Sequence, residues 1–494
     1  MMKTSEKIYK NFIGPNGENI DQLKKLLESV LDNHRQWRKS YYKKDRRLYD
    51  QQNTSNKLLE KELNNFLKRS NQNIPYFHPR YSAQMLKDPS IPTILGCITF
   101  MLSNPNNHAY EGGPVTTEME MEVTDLMLKM CGYKSGWGHL TSGGSLANME
   151  ALWAARDFYG NGTVYFSEVS HYSWKRICKI LQIKNFKEII ADENFRMDLN
   201  HLEHQLKKNK AMCVIANLGS TGTGSVDDIK SIIALREKYG FHLHIDAAYG
   251  GFVRSVLLDD DYKLLPFNEE IILKRFVYDQ LKAIKDSDSV TVDPHKHGLI
   301  SYGAGAVLFK NKRLREIILN TAPYTYHIQD KPNIGMFSLE GSRPGAMAAA
   351  CYLTYKVLPP NQSGTGEVIK LALSASKKFY ELIENSNSFR NLNEPDLDIN
   401  CFYRIHDSSE VSNHNKQMIK VYEHFSIEND NPEFILSKFV MPSNLTKRVL
   451  PELKNKKKEN FISLRSVFMK HWGALENFYY VRKLVEALEN FQIS

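Results

Sequence analysis

Lys296 sits between two histidines in SVTVDPHKHG (289–298), directly after an alternating, β-branched run. A solvent-exposed lysine needs no such setting. Where the surroundings lower its pKa, a lysine amine becomes a nucleophile toward carbonyls, and a Schiff base is the usual product. Three other stretches offer groups that such chemistry uses. TSGGSLANMEALWAARD (141–157) is a glycine-rich turn running into a helix, with Gly144 and Ser145 near its start. Backbone N–H groups and the positive helix end suit a phosphate there, though glycine is also the default residue of any tight turn. FSEVSHYSWKR (166–176) places His171 at a strand end, where a flat imidazole either stacks on an aromatic ligand ring or serves as an ordinary loop histidine. In HLHIDAAYGG (242–251), Asp246 interrupts an apolar strand, and small residues such as Ala248 leave room for something flat. A buried carboxylate needs a cationic partner or several donors, and a protonated pyridine nitrogen is such a cation.

NLGSTGTGSVDDI (217–229) adds Ser220 and Thr221 at another strand end. They bind a second phosphate edge, or the stretch only caps the next helix through Ser225 or Asp227. A phosphate cradle, a stacking histidine, an aspartate for a pyridinium and a lysine for an aldehyde are together what pyridoxal phosphate requires. The competing metal reading, from HLEH (201–204) and HLH (242–244), lacks the spacing of histidine, carboxylate and cysteine that completes a site of the usual kind, so no metal is expected.

The elements that must position these residues alternate. Short apolar runs (TVYFSEV, AMCVIANLG, FHLHIDAAYG, SVTVD, GAVLF) are separated by helical stretches such as DDIKSIIALREKYG. That alternation predicts βαβ units around a mostly parallel sheet, an α/β fold whose ligands bind beyond the carboxyl ends of the strands. We expect three regions: an N-terminal helical segment over 1–105, a large domain over 106–358, and a small α+β domain over 359–494. In the first, IDQLKKLLESVLDNHRQW puts Ile20, Leu23, Leu27 and Val30/Leu31 on one helical face. In the last, INCFYRI and NFISLRSVFM are strand candidates, and ENFYYVRKLVEALENF is an amphipathic helix.

On TSGGSLAN, HYSW, HIDAAYGG and DPHK the chain resembles the group II pyridoxal-phosphate amino-acid decarboxylases, of fold type I. PYFHPRYSAQMLKDPSIPTILG (75–96), NPNNHAYEGGPVTTEMEMEV (104–123) and GSRPGAMAAA (341–350) are similar to the bacterial tyrosine decarboxylase branch and its archaeal tyrosine–aspartate relatives. The resemblance implies decarboxylation of an L-amino acid, most closely L-tyrosine, to the amine and CO2. It implies Lys296 as the cofactor's attachment point, Asp246 on its ring nitrogen and His171 over its ring. Gly144, Ser145 and Thr221 would hold phosphate, with His295 helping. A loop tyrosine would reprotonate the substrate carbon; in NTAPYTYHIQDKPNIGMFSLEGSR (320–343) the candidates are Tyr324, which the resemblance favours, and Tyr326. His108, Tyr110, Thr117 and His327 are implied pocket residues. Arg343 and Arg465 are cofactor- or substrate-side cations, or else interdomain salt bridges. The resemblance also implies a homodimer with a shared active site, wrapped by the N-terminal helices. Two departures stand out. His297 replaces the usual apolar residue after the lysine, either altering cofactor polarity or facing a neighbouring loop, and the glycine pair of EGGP stands where relatives often have serine.

Composition narrows the alternatives. The 494 residues are 42% hydrophobic and 11% aromatic, as in a folded protein, with a formal net charge of +9. The basic runs RQWRKSYYKKDRR (35–47) and KNKKKEN (454–460) read as a solvated helix face and a surface loop rather than a nucleic-acid site. Six scattered cysteines without a C-x-x-C pair suit a reducing compartment. No secretory h-region or run of 18 apolar residues is present, so a cytoplasmic protein without membrane contact is expected. Competing functions are decarboxylation of glutamate or aspartate, carbon–carbon cleavage like that of sphingosine-phosphate lyases, and a catalytically silent paralogue. Intact Lys296, Asp246 and His171 argue against the last.

Overall fold

The computed structural model describes residues 7–45, 56–320 and 331–492. Its centre is a seven-stranded sheet: β1 (Trp137–Thr141), β2 (Thr163–Ser167), β3 (Phe186–Ile189), β4 (Ala211–Asn217), β5 (His242–Ala247), β6 (Ser289–Val292) and β7 (Gly305–Phe309). The spatial order is β1-β7-β6-β5-β4-β2-β3. The strands from β3 through β6 are parallel, and β7 is antiparallel to both β6 and β1. Strands covered on both faces must be apolar throughout, and every residue of β2, β4, β5 and β6 is buried. This is the predicted α/β class. The strands β1 (WGHLT) and β3 (FKEI) escaped prediction because glycine, histidine, lysine and glutamate interrupt their apolar pattern.

Helices Gly144–Tyr159, Leu199–Lys208 and Ile229–Tyr239 follow β1, β3 and β4. The cap of Ile229–Tyr239 corrects the sequence reading. Asp228, not Ser225 or Asp227, accepts the Ser231 N–H. Asp227 is turned inward, accepting from the backbone N–H groups of Met197 and Asn217.

A second, antiparallel sheet follows in the chain: β8 (Phe389–Asn391), β9 (Ile399–Arg404), β10 (Ser437–Met441) and β11 (Phe461–Val467), in the order β10-β11-β9-β8. It has its own core around Phe379, Phe389, Phe402, Phe461 and Leu464. Helix Leu475–Asn490 packs Val481, Leu484 and Leu488 into that core. Of the predicted face on helix Ile20–Ser40, Leu23 packs against Ile91 and Leu95, while Ile20 and Leu31 are 40% and 51% exposed. Helix Lys57–Ser70 buries none of its residues. Among the described residues no helix is long and apolar enough to cross a membrane.

Candidate active site

Strands β1, β2, β4, β5 and β6 point the same way, so their carboxyl ends open on one edge of the sheet, where α/β sheets bind ligands. A cavity of about 420 Å³ lies there, within the range of small-molecule sites. Gly144, Ser145, His171, Thr221, Asp246, Ala248, His295 and Lys296 all line it. The eight residues expected around a cofactor are thus brought together at the carboxyl ends of five strands.

Asp246, near the end of β5, is 8% exposed. Its Oδ2 accepts two side-chain hydrogen bonds, from Asn148 Nδ2 (2.9 Å) and Trp174 Nε1 (3.0 Å). Asn148 is itself oriented by His244 Nε2, 3.1 Å from its Oδ1, and His244 Nδ1 meets Ser289 Oγ at 2.8 Å. Burial, then neighbouring His242, push His244 well below its ordinary pKa, so this relay is neutral. Oδ1 of Asp246 receives only a long bond from Ala248 N (3.4 Å), which leaves it able to accept a further proton donor.

Lys296 lies in the turn after β6, with Nζ 3.0 Å from Asp293 Oδ2. Burial pulls its ammonium down, but Asp293, with smaller help from Asp246, more than offsets this and holds its pKa above the ordinary value. The expectation of a depressed lysine is corrected: the pair with Asp293 keeps the amine protonated. Asp293 shows the converse balance. Burial raises its carboxyl, and Lys296 and His295 bring it below the usual range.

Both histidines can be assigned a tautomer. His295 Nδ1 accepts the Ala304 N–H at 3.0 Å, so a neutral ring carries its proton on Nε2, which lies 3.4 Å from Asp293 Oδ2. His295 stacks on Tyr302 with centroids 4.2 Å apart. His171 Nδ1 accepts from Ser173 N (3.4 Å) and contacts Ser173 Oγ (2.7 Å). Burial lowers the pKa of His171 against the opposing pull of Asp246, favouring a neutral ring beside the cavity.

The remaining candidates lie elsewhere. Among the described residues, the cavity lining does not include His108, Tyr110, Thr117 or Arg343. His108 Nδ1 meets Gly341 O at 2.9 Å, Tyr110 OH donates to Glu118 (2.7 Å), and Thr117 is fully buried. The Arg343 guanidinium is buried against Glu120 and Leu140 O, which makes it an internal strut rather than a cavity cation. Arg465 binds Gly222 O (3.0 Å) and Ala83 O (2.9 Å), tying the second sheet to the loop after β4. His297 faces away from the cavity toward Asp398, which decides between its two readings in favour of a neighbouring loop. A Cβ at Gly112 would come 2.6 Å from Asn106 O, so serine cannot replace glycine there without rearrangement. Tyr324, Tyr326 and His327 lie outside the described residues. Sequence reasoning gave no role to Asn148, Trp174 or Asp293. Asn148 had a usable signal: it stands one helical turn after Gly144, on the same face.

The lining fits pyridoxal phosphate on observations independent of motif. A Cβ at Gly144 would sit 2.9 Å from both Asp293 carboxylate oxygens and 3.1 Å from the Ala248 Cβ, so the backbone of the turn comes close to the lysine's partner. Asp293 Oδ1 is buried without a hydrogen-bond partner. Among the described residues, no group of three or more histidine, cysteine or acidic side chains is placed to hold a metal.

Comparison with known proteins agrees with this lining. A model of the pyridoxal-dependent decarboxylase conserved domain matches residues 42–258 and 266–405. An L-tyrosine decarboxylase from Enterococcus faecalis is 31% identical over 468 residues, covering 76% of this chain and 75% of the relative. An L-aspartate decarboxylase from Thermococcus kodakarensis is 29% identical over 287 residues, covering 58% of this chain and 69% of the relative. Among solved structures, mouse CSAD superposes with a TM-score of 0.71 at 21% identity over 90% of each chain. Catharanthus roseus tryptophan decarboxylase gives 0.69 at 16% identity, over 96% of this chain and 98% of its own.

Proposed function

We propose that this chain, which belongs to the pyridoxal-dependent amino-acid decarboxylase family, acts on L-tyrosine and releases CO2 and the corresponding amine. The observation that carries the assignment of roles is the convergence of Lys296, Asp246, His171 and the Gly144–Ser145 turn on one cavity. Pyridoxal phosphate, when bound, supplies the conjugated ring that takes up the electrons left by the departing carboxylate. Lys296 anchors it covalently and must first give up the proton that Asp293 helps it hold. Asp246 would keep a proton on the ring nitrogen, with Asn148 and Trp174 fixing the carboxylate's direction. His171 would lie beside the ring as a neutral imidazole. Gly144 and Ser145, at the start of helix Gly144–Tyr159, and Thr221, in the loop after β4, would hold the phosphate through N–H and hydroxyl donors. Tyr324 is the proposed donor of the proton to the substrate carbon, and His327 a proposed pocket residue.

Support for tyrosine comes from the relatives. The tyrosine decarboxylases match over three quarters of this chain, the aspartate decarboxylases over shorter stretches. A second reading, an acidic amino acid as substrate, rests on those latter relatives. A panel of L-amino acids assayed for CO2 with added cofactor separates the two: tyrosine should be turned over fastest, with aspartate and glutamate at background. Preference for an acidic substrate would overturn the tyrosine assignment.

We further propose a cytoplasmic homodimer. Leu58, Leu59, Leu63, Phe66 and Leu67 on helix Lys57–Ser70 are each between 47% and 69% exposed, an apolar surface suited to a second copy. An active monomer by gel filtration would refute the dimer.

A further inference from the structure

Four consecutive residues at the entry to β9 each touch the loops that build the cavity. Asp396 accepts the Val226 N–H at 3.0 Å and pairs with Arg196 and Lys274, both at 2.8 Å. Leu397 covers Gly219 and Gly250; a Cβ on either would come within 2.8 and 3.0 Å of its Cδ1. Ile399 lies over Gly224 in the same manner, at 3.2 Å. Between them, Asp398 makes polar contacts to residues beyond the ends of β5 and β6. Its Oδ1 accepts the Tyr249 hydroxyl at 2.6 Å, and its Oδ2 lies 3.3 Å from His297 Nε2. Tyr249 and His297 also meet edge to face, with centroids 4.7 Å apart.

All three side chains are essentially without solvent contact. An isolated carboxylate in such a place would be costly; this one has two polar neighbours. Burial pushes Asp398 up, and His297 and Tyr249 more than offset it, holding the carboxyl below its ordinary range. Arg465 places a buried guanidinium near it, and Lys87 and Lys470, which burial pulls down to about 7, lie close enough to feel its charge. The position of the contact matters more than its strength. Tyr249 follows Ala248 just past β5, the strand that carries Asp246, and His297 adjoins Lys296 past β6. One carboxylate at the entry to the second sheet therefore hydrogen-bonds the residue past one of the two strands that present the ring-nitrogen and aldehyde partners, and lies in ion-pair range of the residue past the other.

We propose that Asp398, acting through Tyr249 and His297, is a positioning residue that sets the spacing of Asp246 and Lys296 across the cofactor cavity. This rests on the roles proposed for Lys296 and Asp246, and it gives His297 a function that faces the second sheet rather than the cofactor. A register error between β5 and β6 would misplace both partners at once, and the Asp398 contact opposes that displacement.

The test uses the full chain stripped of cofactor, titrated with pyridoxal phosphate and followed by protein fluorescence, together with kcat and KM of the reloaded enzyme. Asp398→Asn and Tyr249→Phe should each weaken cofactor affinity about tenfold, the scale of one hydrogen bond to a charged group. Each should lower kcat more than it raises KM. Because Tyr249 acts only through its bond to Asp398, the double variant should be no worse than Asp398→Asn alone. Cofactor affinity and kcat within about twofold of wild type in Tyr249→Phe would overturn the proposal, as would losses that add in the double variant, or a loss of thermal stability alone. Tyr249→Phe removes a single hydroxyl and carries the test should Asp398→Asn fail to fold. Lys296→Ala with borohydride reduction is the control. Covalent trapping that persists there refutes the Lys296 assignment, an outcome separate from any result at Asp398.

Discussion

Asparagine at position 293 isolates the charge of Asp293 while keeping its shape. Asp293 and Lys296 are 3.0 Å apart with side chains 3% and 19% exposed. At that separation and an effective dielectric of about 20, their attraction is about 5 kcal/mol, in line with the ~3–5 kcal/mol lost when one partner of a buried pair is removed. The two shifts define when this stabilisation operates. Lys296 has a raised pKa, so its contribution is complete below its unfolded value and is lost as pH rises through the folded one. Asp293 has a lowered pKa, so its contribution is present above its unfolded value and is lost as pH falls through the folded one. Neutral pH lies inside both windows. Cofactor-free Asp293→Asn protein should therefore unfold at clearly lower urea than wild type at pH 7. The same change frees the amine. With Asp293 gone, burial acts on Lys296 unopposed by its main partner, and the neutral nucleophile becomes commoner. Capture of added pyridoxal phosphate at pH 7.5, read by stopped-flow absorbance, should accelerate by at least about tenfold, since 1.4 kcal/mol already gives that factor. Its rise with pH should level off earlier than in wild type. Unchanged capture with an unchanged pH profile would refute the claim that Asp293 holds the lysine protonated, whatever happened to stability.

Three further outcomes follow from other contacts. Gly144→Ala forces a Cβ to within 2.9 Å of the Asp293 carboxylate, and overpacking of about 1–3 kcal/mol should weaken cofactor affinity roughly five- to hundredfold in a titration of stripped enzyme. Arg343→Met leaves the buried Glu120 without its cationic partner, the Asn107 amide and the Leu140 N–H still donating to it, and should cost about 3–5 kcal/mol of stability in chemical denaturation, with KM little moved; a large KM change in a stable variant would restore Arg343 as a substrate contact. Burial pulls Lys87 down to about 7, and its Nζ has no hydrogen-bond partner. Between about 7 and its unfolded value the unfolded chain binds the extra proton, so this residue's penalty shrinks as pH rises. Lys87→Met should accordingly be stabilised relative to wild type near pH 7, by denaturation midpoint, and the advantage should fade toward pH 10.

What the sequence disclosed, and what it hid, divides along chain distance. Lys296, Asp246, His171 and the Gly144 turn each close a local pattern, an apolar run followed by a polar break, and strand-end chemistry is visible in such breaks. The parallel sheet was legible for the same reason, because AMCVIAN and SVTV are buried throughout. Asn148 and Trp174 were not singled out, although each sits inside a quoted motif. Their meaning is a shared bond to Asp246, and that depends on how two helices, Gly144–Tyr159 and Ser173–Ile180, dock over β5. Asp398 was beyond reach altogether. Nothing local marks an aspartate before a strand as the partner of a tyrosine and a histidine from another sheet. The exposure of Ile20 and Leu31 shows the opposite failing: helical periodicity found a true apolar face, but a face does not say what covers it.

The residues proposed to meet substrate pose the sharpest remaining test. His108 and Tyr110 belong to a surface stitched to residues 333–345 by Asn107 N to Arg343 O (2.9 Å), Tyr110 N to Asn333 Oδ1 (2.9 Å) and Gly335 N to His108 O (2.9 Å). That surface adjoins the glycine turn, since Ser142 N donates to Glu340 (3.1 Å), yet neither side chain lines the cavity of its own chain. A homodimer with shared sites, as proposed above, would have them serve the cavity of the second copy. Co-expression of a Lys296→Ala chain with a His108→Ala/Tyr110→Ala chain then has a definite outcome. Each variant alone should be inactive. Random pairing of two chains makes about half the dimers hybrid, with one intact site in each, so about a quarter of wild-type activity should return. Hybrids purified on two different tags should carry all of it. If such hybrids form and remain as inactive as their parents, the substrate residues and the lysine act within one chain, and the shared-site reading is wrong.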